Sequence, residues 1–430
     1  MREPCAVENP YPGARFRFLA ANVIMPDGTT LFPAYGIKRF GEGASAVSVG
    51  VIGLTLKETP SLVTPSGIAG LTFGDEAEAI NRAVADLEQQ GVDAIVVSIH
   101  QGWQTQVGYN DKSCGGVAGP LIDILKRVDP RVDLVLSGHT HRAYVCDFAK
   151  LDPERTFLVT SAGYGGSLLT DITMTIDPTA GRVVSLTADN RVVQSVGTDR
   201  EGNPVAPNPR YAQRTPNPEV TAYVARYVEA AREASERPVG RVSGPAEKGG
   251  STEESALGNL IADAQLFATR EAGAEVAFMN TGGIRGPLVP RGDGTVTYGA
   301  IYSIQPFGNT LMTKTFTGAQ LLALLEQQFD GEGFVQTFSA SEGFAMTFDL
   351  RRPIGRRVVA ASLNGQPIDP ARSYRVTMNS FLATGGDSFT MFNEGTDATT
   401  GPVDLDGFEA YLTAVPVRQL PALGRITELK

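Results

Sequence analysis

Apolar positions along the first half of the chain recur in two distinct periods. Residues 46–54 (Ala-Val-Ser-Val-Gly-Val-Ile-Gly-Leu), 94–99 (Ala-Ile-Val-Val-Ser-Ile) and 132–136 (Val-Asp-Leu-Val-Leu) are nearly continuous apolar runs. Runs of that length suit strands buried on both faces. Residues 15–23 predict a further strand. Between residues 75 and 89 the period changes: Ala79, Ile80, Ala83, Val84 and Leu87 fall at helical spacing, and Gly91 marks the stop. A helix over about 119–128 and strands over 156–160 and 167–176 complete the expectation of one sheet with helices on its faces.

The pattern lapses over residues 196–218, which hold five prolines and little apolar periodicity, the composition of a linker. Beyond it, Val220, Tyr223, Val224, Tyr227 and Val228 mark one side of an amphipathic helix over 219–236. Helices over 255–270 and 317–329 then alternate with strands over 275–279, 343–349, 357–363 and 374–378. The expected fold class is a layered α/β (α+β) arrangement in two domains, 1–195 and 219–430, joined by the linker at 196–218. With 430 residues, 42% of them hydrophobic, both domains can bury a core.

Charge narrows the partners. A formal net charge of −10 argues against a nucleic-acid polymer, whose phosphates require clustered Lys and Arg. No apolar run is long enough for a membrane span, and the first residues show no signal-peptide core. Of three cysteines, Cys114 and Cys146 either pair or stay as thiols, with Cys5 left over.

All three histidines follow strand-like runs. His100 ends the run at 94–99, and His139 and His141 lie in the Ser-Gly-His-Thr-His segment after 132–136. The carboxyl edge of an α/β sheet is where such folds bind ligands. Residues two apart on an extended segment share a side, so the pair is expected to face one metal centre together with His100. In the second half, three glycine-containing polar loops follow apolar runs: Asn-Thr-Gly-Gly-Ile-Arg at 280–285, Gln-Pro-Phe-Gly-Asn-Thr at 305–310 and Phe-Leu-Ala-Thr-Gly-Gly-Asp at 381–387. Phe307 and Phe381 suit the two sides of a planar base, with Asp387 placed for a ribose and Asn280 for the base edge.

This ordered set of motifs resembles the 5′-nucleotidases, two-domain phosphoesterases of the calcineurin-like type, over nearly the whole chain. The resemblance implies a metallophosphoesterase sandwich domain followed by a substrate-binding domain. It implies two divalent ions (zinc, manganese or cobalt) and hydrolysis of a nucleoside 5′-monophosphate to nucleoside and phosphate. By motif position, His100 and His139 match ligands of one metal and His141 a ligand of the other. Asn280, Gly283, Arg285, Phe307, Asn309, Phe381, Gly386 and Asp387 match the nucleoside pocket, with Arg285 a phosphate or ribose contact. Export (periplasmic, cell-wall or extracellular) is implied as well.

The chain also departs from that pattern. The family's Asp-x-His and Gly-Asn-His-[Asp/Glu] segments, with the bridging aspartate and catalytic histidine, lie upstream of residues 15–23, and no Asp-x-His occurs here. The expectation is a chain lacking its N-terminal metal-binding segment, impaired in turnover and holding at most about one metal ion on three imidazoles. Where the family often has an arginine before the Leu-Gly-Asn-Leu stretch, this chain has Ser251, Thr252, Glu253 and Glu254. Two alternatives stand beside the leading reading: a nucleoside- or nucleotide-binding protein without hydrolysis, and a phosphoesterase for cyclic nucleotides or nucleotide sugars.

Overall fold

The computed structural model describes residues 13–63, 65–194, 197–198, 204–331 and 335–429. The start of the chain with Cys5, and part of the Pro-rich linker, lie outside the described residues. The chain forms two compact units, residues 1–60 with 68–217, and residues 61–67 with 218–430.

The first unit is built on a six-stranded sheet in the order Tyr35–Phe40, Val47–Leu54, Ala94–Ile99, Leu134–Leu136, Leu158–Ala162, Ala143–Asp147. The four inner strands are parallel and the two edges antiparallel. Three of the four inner strands are the near-continuous apolar runs, as burial on both faces demands; the fourth, Leu158–Ala162, is Leu-Val-Thr-Ser-Ala. Helix Glu76–Gln89 starts where the Asp75 carboxylate accepts the Glu78 N–H at 3.1 Å. It buries Ala77, Ala79, Ile80, Ala83, Val84 and Leu87 in the core of this unit. Leu87 approaches Gly50 so closely that a Cβ there would lie 2.7 Å from its Cδ1.

Two expectations are corrected. Residues 15–23 do not form a strand: only Val23–Ile24 pairs, with Thr72–Phe73. Phe16 and Phe18 are exposed, in edge contact at 5.1 Å, and Ala20 and Ala21 make only isolated backbone bonds to Pro33 and Gly53. The segment has strand propensity without a neighbour to complete a ladder. Strand Leu168–Asp177 does not extend the main sheet either; it pairs with Arg182–Val192 as a separate hairpin. Cys114 and Cys146 form a disulfide, with Cα atoms 5.1 Å apart.

The second unit contains a five-stranded sheet ordered Ser339–Ala340, Val276–Met279, Ser373–Asn379, Thr310–Thr317, Thr396–Val403. A four-stranded sheet, Gln366–Pro367, Val358–Leu363, Phe344–Phe348, Ile426–Glu428, accompanies it. A phenylalanine-rich core (Phe278, Phe316, Phe329, Phe338, Phe348, Phe389, Phe392) gathers around helix Gly318–Gln327. That helix opens with a reciprocal Thr317/Gln320 capping box. Helices Ala256–Ala268 and Asp404–Thr413 pack around a second core with Leu260, Ile261, Met279, Leu405 and Phe408. In helix Pro218–Glu236, Tyr223, Val224 and Val228 of the predicted apolar side remain exposed.

Candidate functional site

Two loops at one end of the first sheet are drawn together by close backbone approach. A Cβ on Gly102 would stand 2.3 Å from the Gly138 carbonyl oxygen, so only glycine fits. Gly138 N–H donates to Gln101 O at 3.2 Å, and Thr140 Oγ1 donates to Trp103 O at 3.0 Å. Trp103 stacks on Tyr144 at 4.9 Å, and the Tyr144 hydroxyl shares a 2.6 Å hydrogen bond with Ser137 Oγ. Burial pushes the Tyr144 phenol up to about 12, so it remains protonated. These contacts fix the loop that carries His139 and His141.

The His-Thr-His segment is a turn and not the extended strand end that its spacing predicts. His139 and His141 both adopt left-handed backbone, at φ 67 and φ 59. For a non-glycine residue that conformation costs roughly 1–2 kcal/mol, and such strain collects at functional sites. The His100 and His139 rings come within 5.2 Å, edge to face. Burial, then the neighbouring imidazoles, hold both below the ordinary histidine range, with Glu58 opposing at His139. Neutral rings keep a lone pair for a metal or a proton. His141 is close enough to repel charge on both, yet its ring stacks on exposed Tyr164 at 4.9 Å. The structure therefore pairs His100 with His139 and leaves His141 beside them. Among the described residues no group of three His, Cys, Asp or Glu side chains is arranged to hold a metal ion. This donor set does not fit a two-metal centre.

The second unit gathers the three polar loops. Asn280 follows strand Val276–Met279 and is buried; its Nδ2 donates to Asp387 Oδ2 at 2.7 Å and its Oδ1 accepts from Asn379 Nδ2 at 3.0 Å. With both ends of its amide engaged, Asn280 orients Asp387. Asn379 in turn caps helix Ser380–Ala383 through the Leu382 N–H at 2.9 Å. Burial raises the Asp387 carboxyl above its usual range, while hydrogen bonds from Asn280 and Gln336 oppose the rise. Asp387 and Ser388 are left-handed at φ 54 and φ 67, a second strained turn at a predicted site.

Glycines permit the close packing here. A Cβ on Gly283 would meet Met279 Cε at 2.5 Å and Asn280 Oδ1 at 2.8 Å; one on Gly386 would meet Phe381 Cζ at 2.5 Å. The Phe381 ring thus lies directly over Gly386, half-buried against the core. Phe307 is 55% exposed, with the Arg285 guanidinium 5.9 Å from its ring centre. Ser380 Oγ donates to Asn309 Oδ1 at 3.1 Å, so the segments bearing Phe307 and Phe381 are bonded to each other.

Several residues here escape sequence reasoning. Gln336 and Asn379 lie far along the chain from the groups they contact. Lys248 is half-buried near Arg285, because the mutual Ala246–Leu288 backbone bonds set the two segments side by side. Burial, then Arg285, lowers the Lys248 amine, and among the described residues neither cation has an ion pair. A lysine so placed carries no motif to announce it.

Residues 234–394 match the family model described as 5′-nucleotidase, C-terminal domain. A cell wall protein of Listeria monocytogenes (Lmo0130) is 32% identical over 94% of this chain and 51% of its own length. A 5′-nucleotidase of Diplobatis ommata is 28% identical over 88% of this chain and 65% of its own. The chain thus spans about half the length of the first relative and under two thirds of the second. Among solved structures, a 5′-nucleotidase precursor from Thermus thermophilus superposes with a TM-score of 0.75 at 27% identity, covering 97% of this chain and 79% of that one.

Proposed function

The chain belongs to the 5′-nucleotidase family, and we propose that its second unit binds a nucleoside 5′-monophosphate for metal-dependent hydrolysis of the phosphomonoester. The observation that carries this reading is the Ser380–Asn309 hydrogen bond, which ties the two phenylalanine-bearing segments beside the Asn280–Asp387 pair. Phe307 and Phe381 offer aromatic faces to a base. Asp387, oriented by Asn280, accepts hydrogen bonds from ribose hydroxyls. Arg285 and Lys248 supply unpaired positive charge for the phosphate.

The family implies divalent ions (zinc, manganese or cobalt), which when bound supply Lewis acidity and an activated water. Neutral His100 and His139 suit one such ion, and we expect at most about one per chain. The linkage of Cys114 to Cys146 fits an oxidising compartment, so we read the protein as exported. No helix among the described residues is long and apolar enough to cross a membrane.

The test is calorimetric binding of adenosine and AMP to the purified chain, with metal content and phosphate release measured in zinc, manganese or cobalt. Binding of both ligands is expected, and failure to bind either would overturn the pocket. A second reading, nucleotide binding without hydrolysis, is favoured by the lack of a three-ligand group among the described residues. AMP binding without phosphate release would select it.

A further inference from the structure

We propose that Asn309, Ser380 and Asp404 form a latch that fixes the Phe307 loop against the Phe381 helix, making all three positioning residues for the aromatic pocket. The inference rests on the nucleotide-pocket reading for its purpose, although the latch itself is a matter of geometry in the unliganded chain.

Phe381 is held by its own surroundings: it sits in helix Ser380–Ala383, half-buried against the core and stacked over Gly386. Phe307 has less support, its ring meeting the Arg285 guanidinium at 5.9 Å. It is mostly exposed, it precedes Gly308 in left-handed backbone, and the buried Gln305 before it has no hydrogen-bond partner for either amide atom. Where Phe307 stands relative to Phe381 therefore depends on what anchors the nearby Asn309.

Asn309 is tied on two sides. Its carbonyl accepts the Asp404 N–H at 2.8 Å, and its Oδ1 accepts from Ser380 Oγ at 3.1 Å. The two bonds run to different segments, helix Asp404–Thr413 and helix Ser380–Ala383. Asp404 is buried at the start of helix Asp404–Thr413, where its Oδ1 also accepts the Leu405 N–H at 2.8 Å. No cation pairs with it among the described residues, and the other charge acting on it is Asp406. A buried carboxyl without a cation is costly unless hydrogen bonds compensate. A helix-start role explains an acidic residue there, but not its burial against Asn309.

The experiment uses the full chain and two readouts. The first is hydrogen exchange without ligand. Ser380→Ala, and Asp404→Pro, which removes the N–H at a helix-start position that accommodates proline, should speed exchange of amides in 305–310 about tenfold or more while leaving strand Val276–Met279 unchanged. Unaltered exchange in 305–310 would overturn the latch. The second is adenosine affinity. Each substitution should weaken binding about three- to tenfold, the worth of one aromatic contact. In a Phe307→Ala background the same substitutions should cost less than about twofold, because they act through that ring. Equal losses in both backgrounds would overturn the positioning role. A wild-type chain that binds neither adenosine nor AMP refutes the nucleotide pocket instead, and the exchange readout still decides the latch.

Discussion

Asp404 shows what a single buried acid does to the pH response of this fold. Burial raises its carboxyl from 3.8 to about 6, against hydrogen bonds from Leu405 and Asn309 that favour the charged form. The folded state thus prefers the protonated acid. Its contribution to stability is fully present below about pH 4 and is lost as pH rises through about 6. At about 1.4 kcal/mol per tenfold change in proton affinity, the loss is up to ~3 kcal/mol. Scanning calorimetry at pH 4 and pH 7 should show Asp404→Asn gaining on the wild type by a sizeable part of that amount. A gap that does not change with pH would contradict the raised carboxyl. Gly386 gives a steric counterpart: Gly386→Ala drives a methyl into the Phe381 ring, so adenosine affinity should fall by about tenfold or more as the ring is displaced. Unchanged affinity would mean that the ring is not a wall of the pocket. The glycine-rich turns were legible as candidate sites because polar residues after buried strands stand out in sequence. Asn379 and Lys248 were not, since their roles arise from contacts across the fold: Asn379 lies 99 residues from Asn280.

At the scale of elements, the inner strands of the first sheet and helix Glu76–Gln89 were readable because burial on both faces, or on one helical stripe, leaves an unmistakable period. Strands Thr310–Thr317 and Thr396–Val403 were not. They are threonine-rich, with little apolar alternation, and gain strand structure from pairing with each other and, for Thr310–Thr317, with Ser373–Asn379. The 15–23 segment fails in the opposite direction, having suitable residues and no partner strand. The loop from His100 towards Cys114 is held by a covalent tie. The Cys114–Cys146 bond closes a loop with a sequence separation of 32, for which chain entropy predicts roughly 3–4 kcal/mol of stabilisation. Cys146→Ser should lower the melting of the first unit, followed through buried Trp103, and leave the second unit's transition in place. An unchanged Trp103 transition would show that packing around Phe148 and Phe157 carries the segment without the bond.

For the whole molecule, the two compact units divide the chemistry between them. The imidazole pair stands in the first, and the residues we propose as a nucleoside pocket, with their carboxylate and cations, in the second. Each unit has its own core, so the two binding events should be separable by substitution. His100→Ala removes one of the two rings that lie within 5.2 Å of each other. Losing one of so few donors should cut zinc affinity by at least about a hundredfold, with adenosine affinity unchanged within about twofold. Phe381→Ala should do the reverse: it removes a stacking face, weakening adenosine about tenfold, and leaves metal content as it was. Metal analysis after dialysis and calorimetry with adenosine read the two events independently. If His100→Ala also abolished adenosine binding, the pocket would depend on the first unit. If zinc uptake survived His100→Ala, the metal would be held by residues other than the imidazole pair, and the assignment of His100 and His139 would fall.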